Sequence, residues 1–152
     1  MVPTGMTQTN IPSDRFNTEP GFRLTVQVPE ARVHHLVNAI RTQDPLSYGD
    51  YEAVSFRTAA GVQQFRSLGG GRNIPNDVVD DVPCVELSVF LPDDTALVGR
   101  VIEAVYNTHP YEEPVIFVTQ CQRTTHIRGQ DEDNPNRFWN APAEDWLPKK
   151  FR

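Results

Sequence analysis

The sequence FRLTVQVP, residues Phe22–Pro29, decides the fold because the chain uses the same pattern again as VELSVFLP, residues Val85–Pro92. In both octapeptides apolar side chains occupy every second position, which is typical of a strand with one buried face. Each octapeptide ends in a proline, a residue that suits the first turn of a helix. The sequence therefore predicts two strand-to-helix junctions of the same design.

Apolar residues recur at helical spacing after each proline, which predicts one helix in each copy. The apolar positions are Val33, Leu36, Val37 and Ile40 in the first helix, and Leu97, Val101, Ile102 and Val105 in the second. Closing strands are expected at Tyr51–Arg57 and Val115–Cys121. The order β-α-β occurring twice predicts an α+β protein with a ferredoxin-like (βαβ)2 sandwich.

The segments around this sandwich predict an extra hairpin and two extensions. Gln63–Leu68 could prolong the second strand into a hairpin turned at Ala59–Gly61, and the glycine-rich stretch Gly69–Pro75 follows as a plain loop. Residues 1–21 lack periodicity, so we expect a flexible N-terminal leader before a domain at 22–125. Residues 126–152 form a C-terminal extension, whose Trp139 and Trp146 would anchor it on the domain or on a neighbouring subunit.

Composition limits the class of protein. A chain of 152 residues is long enough for one domain with a core. The net charge of -6 argues against nucleic acid and anionic membranes as partners, and no apolar run has the length of a membrane span. We therefore expect a soluble cytoplasmic protein. Cys84 and Cys121 are expected to be free thiols, two strand spacings apart in the sheet.

The hexapeptide His109–Pro114 (HPYEEP) carries the densest chemistry of the chain. Its two prolines disfavour helix and should place the segment in extended backbone between a helix and a strand. Alternation would then put His109, Tyr111 and Glu113 on one side and Glu112 on the other, where Glu112 could pair with Arg57 or Arg66.

Phe22–Thr125 resembles the PII-like domain of the YqfO/NIF-three-like family in its stand-alone form, and also the related CutA divalent-cation-tolerance proteins. The residues that carry the resemblance are Val28-Pro29, Tyr51–Phe56, Gly61–Arg66 and His109–Pro114. The resemblance implies a PII/CutA-like subunit and usually a homotrimer in which sheets meet edge to edge. Full-length relatives carry a dinuclear metal site in flanking domains, which we do not expect in this protein, so we do not expect their hydrolase activities to transfer.

From these features we expect a homotrimer that binds a small ligand or a divalent metal ion, or that regulates by contact, without catalysis of its own. The ligand or metal candidates are His109, Tyr111, Glu112 and Glu113, and the anion-binding candidates are Arg57 and Arg66. The candidates for subunit contacts are Tyr51, Phe56, Trp139 and Trp146. The cofactor is left open, with a divalent metal ion as the candidate.

Three other interpretations remain open at this point. The protein could be an enzyme with an intersubunit pocket, with His109 as general base, Tyr111 or Glu113 as acid, and an arginine holding an anionic substrate. The hexapeptide could instead only lock the helix–strand junction. The chain could also be an interaction module that makes its contacts through the C-terminal extension.

Overall fold

The computed structural model describes residues 8–145, which form one five-stranded sheet with two helices. The strands are β1 (Phe16–Val28), β2 (Phe56–Arg57), β3 (Gly61–Phe65), β4 (Asp80–Pro92) and β5 (Ile116–His126). The helices are α1 (Val33–Arg41) and α2 (Thr95–Thr108), and single 3-10 turns lie at Glu30–Arg32, Phe138–Asn140 and Ala143–Asp145.

The strand order β2-β4-β1-β5 interleaves the two βαβ units. β4 lies between β1 and β2 of the first unit, and β1 lies between β4 and β5 of the second. All pairings are antiparallel, with Val26 opposite Leu87 in the centre of the sheet. This topology confirms the ferredoxin-like α+β prediction.

The core lies between one face of the sheet and the two helices. The alternating apolar residues of both octapeptides are buried, as are the apolar stripes of the helices. Asp94 begins α2 by accepting a hydrogen bond from the Leu97 backbone N–H at 3.1 Å. The helix ends at His109, which Pro110 forces into extended backbone at φ -73° and ψ 136°.

β1 and β5 are both longer than the sequence predicted. β1 begins at Phe16 rather than near Phe22, because residues 16–20 pair with residues 122–126 of β5. Neither segment has apolar alternation. Backbone hydrogen bonds hold this part of the ladder, together with the ion pair between Glu19 and Arg123, which lie opposite each other. The strand pairing therefore crosses both expected domain borders, at 21/22 and 125/126.

The predicted hairpin between the second strand and Gln63–Leu68 is wrong. β2 contains two residues, and β3 pairs with β4 instead, with Gly61 opposite Cys84 and Phe65 opposite Asp80. β4 is 13 residues long, so a single edge of it accommodates both short strands. Tyr51 makes only an isolated bridge to Tyr48 and is not part of a strand.

Cys84 and Cys121 are free thiols, as predicted. Their expected separation of two strand spacings is too small, however. Cys121 lies opposite Gly21 in the middle of β1, whereas Val85, the residue after Cys84, lies opposite Val28 at the end of β1. The seven steps along β1 from Gly21 to Val28 span roughly 23 Å, so the two thiols lie far beyond disulfide reach.

Candidate functional site

His109 is built into the fold through both nitrogens of its ring. The imidazole is 9% exposed, and its Nε2 lies 2.7 Å from the backbone oxygen of Gln27 at the end of β1. Its Nδ1 accepts a hydrogen bond from the Tyr111 backbone N–H at 3.0 Å. An Nδ1 that accepts carries no proton, so the proton is assigned to Nε2, which donates to Gln27.

The electrostatics of His109 agree with this neutral tautomer. Burial lowers the pKa of the imidazole, and the hydrogen bond to Gln27 opposes that shift only in part. In this subunit neither nitrogen is free to take a proton from a substrate or to bind a metal ion. The arrangement therefore corresponds to a structural lock between the end of α2 and the end of β1.

Tyr111 packs against this lock. Its ring centroid lies 4.8 Å from that of His109, with an angle of 56° between the rings. Within residues 8–145, the buried Tyr111 hydroxyl has no hydrogen-bond partner. Burial raises the pKa of the phenol, and neighbouring Cys84 raises it further. Among the buried side-chain polar atoms of residues 8–145, this hydroxyl is the one without a hydrogen-bond partner.

Residues 110–113 of the hexapeptide do not have the extended conformation that the sequence predicted. Residues 110–113 form bends and β5 begins only at Ile116, so strand alternation does not apply to them. His109 and Tyr111 do lie side by side, whereas Glu112 and Glu113 are exposed. The expected pairing of Glu112 with Arg57 or Arg66 is not among the ion pairs of the described residues. Instead, Glu112 Oε1 accepts a hydrogen bond from the Arg72 backbone N–H at 2.7 Å.

Arg72 belongs to a glycine-rich loop, residues 67–76, which the structure brings against the hexapeptide. The loop is closed by a hydrogen bond from the Asn76 N–H to the Ser67 oxygen at 3.0 Å. A Cβ placed on Gly71 would overlap the Glu112 carboxylate, so this carboxylate rests directly on the glycine backbone. Sequence reasoning treated the loop as a plain turn and missed this contact, although three consecutive glycines were the available signal.

The two anion-binding candidates occupy different places. Arg57 lies in β2, opposite Leu87 of β4. Arg66 follows β3, and its Nη1 donates to the backbone oxygen of Asn76 at 3.1 Å. Arg66 therefore lies at the base of the glycine-rich loop whose Arg72 N–H binds Glu112.

The candidates for subunit contacts are exposed where they are described. Tyr51 is 74% exposed and Phe56 is 64% exposed. Trp139 is 64% exposed, and its indole N–H donates to the Glu132 oxygen at 2.7 Å within the C-terminal extension. Trp146 lies outside the described residues.

Arg123 forms a cluster that sequence reasoning did not identify. Its guanidinium carbon lies 4.4 Å from the Tyr48 ring centroid and 3.9 Å from that of Phe90. The same side chain pairs with Glu19 at 2.6 Å and donates to the Ser47 oxygen at 2.8 Å. Arg123 thereby fixes the loop before β2 against the ends of three strands.

The described part of the C-terminal extension docks on its own chain. Asp131 pairs with Arg15, at 2.6 Å, and with Arg137. Arg128 pairs with Asp50 at 2.8 Å on the surface. The extension therefore contacts both the segment before β1 and the loop before β2.

Residues 8–145 contain no group of three or more His, Cys, Asp or Glu side chains placed to hold a metal ion. None of the helices in the same range combines the length and the apolar character that a membrane crossing needs.

The strand order and the two interleaved βαβ units define the class: an α+β protein with a ferredoxin-like sandwich. Comparison with solved structures places the chain among proteins of that architecture. A Bacillus cereus protein related to NIF3 superposes with a TM-score of 0.58 and 23% identity, over 71% of this chain and 27% of that one. The resemblance noted in the sequence is thus confirmed for the fold.

Two further neighbours are CutA proteins. CutA from Xylella fastidiosa has a TM-score of 0.48 and 15% identity, covering 66% of this chain and 82% of its own. CutA1 from Oryza sativa has a TM-score of 0.47 and 18% identity, covering 74% of this chain and 84% of its own. No family model and no curated protein matches the sequence. The chain spans about a quarter of the Bacillus cereus protein, so that protein's activity is not carried over.

Proposed function

We propose that the protein is a homotrimer of the PII/CutA type that binds a small ligand and acts through regulation rather than catalysis. The main observation in support of the assembly is a row of side chains across the face of the sheet opposite the helices. The register puts Phe56 opposite Ser88, Ser88 opposite Thr25, and Thr25 opposite Phe117.

This row has the composition of a contact surface. Phe56 and Phe117, at the two ends, are 64% and 54% exposed, and the Thr25 and Ser88 hydroxyls lie 3.2 Å apart between them. Large aromatic side chains on an otherwise polar sheet face are enriched where another subunit packs. A second subunit would bury both phenylalanines, and in a closed ring each subunit would offer the same face.

The state of His109 supports a binding role over a catalytic one. A general base must present a free nitrogen to its substrate, and both nitrogens of His109 are engaged within the subunit. Catalysis by His109 would require the Gln27 or Tyr111 hydrogen bond to break first. A metal ion at the hexapeptide would, for the same reason, need ligands from a neighbouring subunit.

Sedimentation or light scattering of the full chain tests the assembly. We expect a particle of three times the 17.2 kDa chain mass at micromolar concentration. Replacing Phe56 and Phe117 together by serine should shift the particle toward monomer. Tyr106→Ser, on the exposed surface of α2, is the matched control and should leave the mass unchanged. A wild-type monomer would contradict the proposal.

Native mass spectrometry of the protein purified from its own host tests ligand binding. A mass beyond that of the protein subunits would identify a retained metabolite or metal ion. If a single-residue variant remains trimeric but loses that extra mass, the substituted residue belongs to the ligand site.

A further inference from the structure

Glu112 is an exposed carboxylate that is bound to a distant part of the chain. It accepts a hydrogen bond from a backbone N–H forty positions earlier in the chain, at 2.7 Å, and it lies on a residue that has no Cβ. The contact needs Gly71 in particular, because any other side chain there would overlap the carboxylate. At Gly70, by contrast, a Cβ would meet open space.

The surroundings of this contact suit an anion. Backbone N–H groups of turns and glycine-rich loops form sites that bind oxyanions. Two arginines are part of these surroundings: Arg66 immediately precedes the loop and donates to the Asn76 oxygen, and Arg72 lies in the loop and binds the carboxylate through its backbone N–H. The loop is also ordered before any ligand arrives, because Ser67 Oγ donates to the Asn73 oxygen at 3.1 Å and accepts from the Gly69 N–H at 3.3 Å.

We propose that the glycine-rich loop, residues 67–76, is a binding site for a small oxyanion, a carboxylate or a phosphate, in which the Glu112 side chain is an internal occupant that the ligand displaces. While Glu112 occupies the loop, only the fraction of molecules with a released side chain can bind, so the apparent affinity is reduced by that fraction. The proposal deepens the proposed function by naming the class of small ligand and its place, and it rests on that function in treating the protein as one that binds a ligand.

The test is a titration of the full-length, isotope-labelled protein with inorganic phosphate and, separately, with acetate, at ionic strength held constant with sodium chloride. The readout is the chemical shift of the Gly71 and Arg72 amide groups. Glu112→Ala should tighten binding by about fivefold or more, since it removes the competing occupant. Glu113→Ala removes the same charge from the exposed neighbour and should change the affinity by less than about twofold.

A second pair of variants locates the anion. In the Glu112→Ala background, Gly71→Ala should abolish the shifts, because the new Cβ fills the position of the carboxylate. Gly70→Ala in the same background should leave them intact. A response to phosphate alone would identify a phosphate site, and a response to acetate as well would identify a general carboxylate site; both support the proposal.

Three outcomes would overturn it: no saturable shift at either amide in Glu112→Ala, equal tightening in Glu113→Ala, or binding that survives Gly71→Ala. Failure of the proposed function would be seen in the particle mass measured by sedimentation or light scattering. A monomer whose Glu112→Ala variant binds phosphate contradicts the trimer and supports the oxyanion site. A trimer in which the Gly71 and Arg72 amide shifts do not respond to either anion supports the proposed assembly and contradicts the oxyanion site.

Discussion

His109 and Glu112 lie in one hexapeptide but are held in opposite ways. The His109 ring is buried, and both of its nitrogens are bonded to backbone groups of the core. The Glu112 side chain is exposed and held by one backbone N–H of a surface loop. Side chains only three positions apart therefore have different surroundings: His109 is bound within the core, whereas Glu112 lies on the surface, where we propose that a ligand displaces it.

Removal of the His109 ring should have the largest effect. His109→Ala leaves the Gln27 oxygen and the Tyr111 N–H without their partner and opens a cavity, so the free energy of unfolding should fall by about 2–4 kcal/mol. Urea denaturation measures this fall. His35→Ala, an exposed position on α1, should change it by less than about 0.5 kcal/mol. A fall below about 1 kcal/mol for His109→Ala would show that the ring does not lock the junction.

The pH dependence of the free energy of unfolding should further distinguish the buried His109 from the exposed Glu112. The pKa of His109 is lowered in the folded protein, so at acid pH the unfolded chain binds the proton more readily than the folded one. This contribution is complete above the ordinary pKa of histidine, near 6.5, and is lost as pH falls below it toward the lowered value. Wild type should therefore lose more stability than His109→Ala between pH 7.5 and pH 5.5. Parallel losses in urea denaturation would contradict the assigned neutral tautomer.

A smaller effect is expected at the glycine-rich loop. Gly71→Ala should cost about 1 kcal/mol more than Gly70→Ala, because only the first displaces the Glu112 carboxylate. Adding Glu112→Ala should remove most of that difference, since the overlap disappears with the carboxylate. Hydrogen exchange of the Arg72 amide, combined with urea denaturation, measures both effects. Equal costs for the two glycines would mean that the carboxylate contact does not form in solution.

The smallest effect should come from Tyr111→Phe. The hydroxyl is buried and has no partner in the described chain, so its removal should be neutral or should stabilise by up to about 1 kcal/mol. Thermal unfolding at several protein concentrations is the measurement. A destabilisation that grows with concentration would instead show that a neighbouring subunit bonds to the hydroxyl.

The sequence predicted the fold from the parts in which side chains determine the structure. Leu24, Val26, Leu87 and Val89 alternate, face the helices and are buried, so their pattern was visible. The ladder between residues 16–20 and 122–126 depends on backbone hydrogen bonds, and the pairing of β3 with β4 depends on the length of β4. Neither of these leaves a pattern of apolar residues.

The candidate site was predictable to a similar extent. Pro110 required His109 to leave the helix in extended backbone, and the structure has it so. The partners of His109 and Glu112 could not be inferred. Gln27 reaches His109 only because β1 ends beside the last turn of α2, and Arg72 reaches Glu112 only through the path of the loop. Contacts at such separations follow from the assembled fold and have no local signature.

The pairing of residues 16–20 with residues 122–126 has a practical consequence for anyone who expresses the domain alone. A fragment that begins at Phe22 would lack residues 16–20, the partners of residues 122–126 in β5. The backbone N–H and C=O groups of residues 122–126 would then be unpaired at the edge of the sheet. It would also lose Glu19, the carboxylate that pairs with Arg123. Such a fragment is expected to join other copies through its open edge, so oligomers measured on it would report the cut rather than the native assembly.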